Sequence, residues 1–153
     1  MTGKTILVLM MLLGFMSPTD DQFSGTWVLN PSKSEIPQPF PVPKSQIARV
    51  VADASQIEFT EEIVNESDER LTIHTKATFD GKDYPVTGTP HADTVAFQRI
   101  DRNTIKGLTK KGGKVIMQET AVISPDGRTM MGTYSVTDAE GKQITATAVF
   151  DKK

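Results

Sequence analysis

Glycine-bearing turns recur along this chain at the spacing of short strands, and no other feature constrains the fold so tightly. Asp80-Gly81, Gly112-Gly113, Asp126-Gly127 and Glu140-Gly141 each separate two segments in which apolar and polar residues alternate. Glycine accepts the positive φ of the primed turns that join antiparallel strands, so these pairs read as hairpin turns. The alternating segments are 23–30, 46–52, 56–64, 71–79, 82–86, 94–100, 104–109, 114–124, 128–136 and 143–150. Their period is two, and no stretch after residue 22 carries a helical period of useful length. Short strands joined in order by short turns favour a meander over a Greek key. Closing that meander removes the edge strands that would invite aggregation. The expected fold is all-β, a single antiparallel up-and-down barrel of about 8–10 strands.

One segment breaks the cadence. Residues 31–45 carry prolines at 31, 37, 39, 41 and 43. Proline fixes φ and removes a backbone donor, so this stretch is expected as an extended strap across one barrel end, with a single helical turn within 31–35.

The totals narrow the class. A chain of 153 residues is long enough for one buried core. A formal net charge of −2, with only small basic clusters, gives no footprint for nucleic acid. The absence of cysteine excludes disulfides, thiolate metal sites and thiol nucleophiles. Lys4 followed by the apolar run 6–16 has the form of a secretory leader. That run is too short for a membrane-spanning helix, which needs about 20 residues. Residues 1–19 are expected as a signal peptide and 20–153 as the barrel domain, placing the mature chain in the periplasm or medium with no stable membrane span. A retained core helix is the alternative.

Gly25-Thr26-Trp27 opens the first strand, and Trp27 is the only tryptophan. A large aromatic there can plug the narrow end of a barrel, while Gly25 permits a close backbone approach. This resembles the G-x-W opening of lipocalins. The longer run from Phe23 through Ser34, together with Phe79-Asp80-Gly81-Lys82-Asp83-Tyr84, Lys110-Lys111-Gly112-Gly113 and Ser124-Pro125-Asp126-Gly127, is similar to secreted bacterial lipocalin-like proteins of uncharacterised activity. The resemblance implies a calycin-type barrel closed by Gly25 and Trp27. Two departures stand out. Lys82-Asp83-Tyr84 only echoes the second lipocalin signature, and the arginine that lipocalins pack across the tryptophan near the last strand is missing, with Lys152 the candidate to substitute for it. The R-x-Y pair with which fatty-acid-binding barrels hold a carboxylate is missing from the last strand, so a lipid-carboxylate role is not implied.

Reactive constellations are scarce. His74 and His91 are the only imidazoles; one lies on the polar face of its strand and the other in a loop, with no nucleophile assigned to either. Glu61, Glu62, Glu66, Asp68 and Glu69 form an acidic group that reads as a solvated hairpin end, since it lacks the glycine and spacing of a calcium loop. No catalytic set, metal or cofactor is expected.

The positive signal is a large apolar inventory spread over the sheet. Arg49, Phe59, Ile73, Phe79, Phe97, Arg99, Met117, Met131 and Tyr134 are the expected ligand-lining residues, with Arg49, Arg99 and Tyr134 as the polar members. Core packing is the competing explanation, because a small barrel can fill itself with side chains. Alternation does not assign the inward parity. The function expected is non-enzymatic: holding or carrying a small apolar or amphiphilic molecule. A protein-interaction module or protease-inhibitor-like barrel, acting through loops and the proline strap, is the alternative.

Overall fold

Ten antiparallel strands close on themselves in chain order. They are β1 (Gly25–Leu29), β2 (Ser45–Ala52), β3 (Gln56–Val64), β4 (Arg70–Thr78), β5 (Tyr84–Thr87), β6 (Thr94–Asp101), β7 (Thr104–Lys111), β8 (Lys114–Ile123), β9 (Thr129–Thr137) and β10 (Gln143–Lys152). The structure is a computed structural model describing residues 21–153. The expected leader, residues 1–19, lies outside the described residues. β1 pairs with both β2 and β10, which seals the cylinder. The meander is therefore the one the turn spacing predicts. Gly81, Gly112, Gly113, Gly127 and Gly141 all adopt positive φ, as tight turns between strands demand.

Closure brings one parity of each strand to the interior. In β1 it is Trp27 and Leu29, in β2 Ala48 and Val50, in β4 Thr75 and Ala77, in β10 Ala146, Ala148 and Phe150, all buried. One end of the cylinder is solid. Trp27 is wholly buried there beside Phe23, Ile123 and Phe150, each no more than 2% exposed. The Trp27 indole N–H donates to the Phe23 carbonyl at 2.8 Å, so its one polar atom is satisfied. Burying a tryptophan removes roughly 200 Å² from water, worth ~5 kcal/mol as an upper estimate.

Lys152 lies across Trp27, its ammonium 5.0 Å from the ring centroid, in the place sequence reading gave to an arginine substitute. Gly25 makes this crossing feasible. A Cβ on Gly25 would meet Cε of Lys152 at 2.6 Å, and its φ of +136° is one that L side chains rarely adopt. Arg99 closes the same end from below. Its guanidinium sits 4.6 Å from the Phe79 ring and 5.4 Å from Phe23, and it pairs with Asp21 at 2.8 Å.

The proline segment joins β1 to β2 at the opposite end. It begins with the expected single turn, Pro31–Lys33, then runs along β10, where Glu35 and Thr147 exchange both backbone hydrogen bonds at 2.7 and 2.8 Å. It thus continues the line of β1 past the strand's end and forms one wall of the rim.

Candidate functional site

The half of the barrel away from Trp27 is built differently. Inward positions continue the buried parity toward this end as Gln46, Glu61, Ile63, Leu71, Ile73, Met117, Glu119, Tyr134 and Ile144, and every one of them stays partly exposed. In a barrel filled by its own side chains such positions would be sealed. Their partial exposure sets this half apart from the sealed end around Trp27. The interior is packed tightly at the Trp27 end, the floor, and less completely sealed at the other.

Small residues make the room. Across the ladder, Glu61 stands opposite Ala48, Glu119 opposite Gly107, and Tyr134 opposite Ala146. A Cβ on Gly107 would collide with the Glu119 carboxylate and with Phe97. One on Gly132 would come within 2.7 Å of the Tyr134 hydroxyl, whose ring lies over that glycine. Glu119 and Tyr134 are therefore folded into space left by Gly107 on the neighbouring strand and by Gly132 on the same strand. Gln46, Glu61, Glu119 and Tyr134 together form a polar belt between the floor and an apolar rim.

Electrostatics in the belt follow from its enclosure. Burial pushes the Glu119 carboxyl up to about 7, and the charge of Glu61 adds to the effect. Burial also raises Glu61, opposed by the amide of Gln46, which donates to its Oε1 at 2.5 Å. Tyr134 is raised too, first by burial and then by the charges of Glu61 and Glu119. Two carboxylates and a phenol thus share one electrostatic environment, and the group titrates as a coupled set.

The sequence-predicted residues divide in four ways. Ile73, Met117 and Tyr134 take inward positions in the open half. Phe59 and Phe97 also point inward but pack edge to face, centroids 6.2 Å apart, as the roof of the floor. Phe79 and Arg99 belong to the closed end and are engaged with each other. Arg49 and Met131 correct the expectation outright. Arg49 lies on the outer face in an ion pair with Glu62 at 2.9 Å, and Met131 is 44% exposed between two inward residues of β9. Their strands place them on the solvent parity, which apolar content alone does not reveal.

Glu61 is a second correction. Its acidic neighbours suggest a solvated hairpin end, yet Glu61 takes the inward parity while Glu62 faces solvent. Gln46 and Glu119 were missed altogether. The signal was present as a carboxylate interrupting an apolar parity: Ile57, Phe59, Glu61, Ile63 on β3 and Met117, Glu119, Ala121, Ile123 on β8. His74 lies on the outer face beside Glu58 at 3.1 Å, and His91 is exposed in the loop before β6. Among the described residues, no group of three or more His, Cys, Asp or Glu side chains is placed to hold a metal ion. Two surface grooves, of about 230 Å³ over β6–β8 and about 840 Å³ beside the closed end, lie outside the belt.

The architecture is a closed, ten-stranded, antiparallel up-and-down barrel. It is similar to the crystal structure of zebrafish ileal bile acid-binding protein complexed with cholic acid, with a TM-score of 0.55 and 14% identity over 86% of this chain and 99% of that one. No protein-family model and no curated protein matches the sequence. No helix of the described residues is long and apolar enough to cross a membrane.

Proposed function

We propose that this protein is an exported, non-enzymatic barrel that holds or carries a small amphiphilic molecule in the open half of its lumen. The observation that carries the reading is the exposed inward wall. Ile63, Leu71, Ile73 and Ile144 point into the cylinder without being sealed by one another. An apolar chain laid against them would complete the burial that the protein leaves unfinished, at roughly 25 cal/mol per Å² covered. The belt below supplies a few polar groups to orient one end of the guest. Likeness of fold to a barrel complexed with cholic acid supports the same use. The leader-like composition of residues 1–19 supports export.

The test is calorimetric titration with decanol, an uncharged amphiphile, against the mature chain. Saturable binding is expected. It is lost in Ile144→Trp, which fills the upper lumen, and kept in Met131→Trp, which adds the same bulk to the outer face. Equal binding by the two variants, or none by the parent, sinks the reading.

A further inference from the structure

The belt also says which kind of amphiphile fits, and this step rests on the carrier reading above. Its two carboxylates have acceptor oxygens in search of donors. The Glu119 carboxylate and the Tyr134 hydroxyl have no hydrogen-bond partner among the described residues, and Gln46 serves only one oxygen of Glu61. Facing Glu119 from β9 is Tyr134 and from β3 Glu61; β7 and β6 contribute Gly107 and Phe97, which carry no charge. No cation of the described residues points into this half. Lys44, Arg49, Lys110 and Lys111 are paired outside with Asp68, Glu62, Asp83 and Asp93. Arg70, Lys114 and Lys142 are exposed. Arg99, the one inward guanidinium, is committed to Asp21 beneath the floor.

We infer that the preferred guest is a primary alkylammonium amphiphile, its N–H groups shared by Glu61, Glu119 and Tyr134 and its chain lying along the apolar rim toward the mouth. Three properties of such a guest match this half of the barrel. An ammonium offers three donors to a cluster whose two carboxylates and phenol oxygen have lone pairs to spare. Its charge offsets two carboxylates held close together away from bulk water, where each raises the free energy of the other. Its chain covers Ile63, Leu71, Ile73 and Ile144, which a small inorganic cation would leave wet. A fatty carboxylate would bring a third anion into the belt with no positive group to receive it. The charge preference of this barrel is thus opposite to that of a binder of carboxylates.

Binding of the cation is linked to proton release. Glu119 is pushed up to about 7, so the belt is most negative above that pH and loses charge below it. Affinity for an alkylammonium should therefore fall as the solution is acidified from about pH 8 to about pH 5, and affinity for an alkyl carboxylate should not.

Decylamine, decanol and decanoate, matched in chain length, are titrated in parallel by calorimetry at both pH values. At the higher pH, decylammonium is expected to bind roughly tenfold or more tighter than decanol, and decanoate weaker than either. The advantage of the cation shrinks on acidification. It is also lost in Glu119→Gln and Glu61→Gln, read within each variant as the ratio of decylammonium to decanol affinity. If decanol binds and decylammonium binds no tighter, or its advantage survives both substitutions and the change of pH, the charge assignment is overturned and the carrier reading stands. If none of the three binds, the carrier reading falls and takes this inference with it.

Discussion

Glu119 carries an anion into a space where water is scarce, and the cost of doing so is visible in its protonation. Its carboxyl rises from 4.5 to about 7 on folding because burial disfavours the charged form and Glu61 repels it. Between those values the native protein keeps a proton that the unfolded chain has already lost. The unfolded state binds fewer protons there, so stability declines as pH rises from 4.5 to about 7 and is lowest above that window. Glu119→Gln removes the charge and keeps the shape. Denaturant melts at several pH values should show the variant more stable than the parent above about pH 7, by roughly 1–3 kcal/mol, with the two converging near about pH 4. Glu61, also raised, leaves a smaller slope behind in the variant. A variant less stable than the parent at high pH would mean that the carboxylate is stabilised by a partner.

At the scale of elements, the closed end and the strap are held by different physics. The floor depends on Arg99 joining the base of β6 to the segment before β1 and to the loops after β2 and β6. It does so through its pair with Asp21, its stacking on Phe79 and Phe23, and bonds to the carbonyls of Asp53 and Arg102. Both ends of the ion pair are largely buried, with side chains 16% and 12% exposed. Arg99→Ala strands Asp21 and opens the floor, and a loss of about 3 kcal/mol is expected in equilibrium unfolding. The strap is tied more lightly. Asp151 on β10 accepts from Asn30 at 2.6 Å and Lys33 at 3.1 Å, at the point where the chain leaves β1. Asp151→Ala should speed proteolysis within residues 36–44 while leaving the melting of the barrel nearly unchanged. Strands were legible here and faces were not. Turn glycines mark where each strand stops, and the alternation of residues 143–150 gives β10 within two residues. β9, by contrast, places Met130 and Met131 on opposite faces, and β3 places Glu61 and Glu62 likewise. Composition treats each pair as alike; only closure, which fixes Trp27 as an inward residue and propagates its parity through the register, tells them apart.

The whole molecule is a cylinder with unequal halves. Aromatic and branched side chains fill the end that begins with Phe23 and Trp27, and small residues at 48, 107, 121, 132, 146 and 148 leave room above it. Alternating bulky and small interior layers is how a barrel of this size can be stable and still receive a guest. The barrel itself followed from the sequence because repeated hairpin turns permit few other arrangements. The belt did not, since carboxylates in a sequence look alike whether they face a lumen or the solvent. The central claim is that the open half is hollow and takes up an amphiphile, and methyl-resolved NMR of the isoleucines during a decanol titration addresses it residue by residue. Saturable shifts are predicted at Ile63, Ile73 and Ile144, with Ile57, Ile105 and Ile123 in the floor nearly still. Shifts confined to Ile100 and Ile116, which are 52% and 40% exposed on the outer face, or no saturable shift at all, would contradict it.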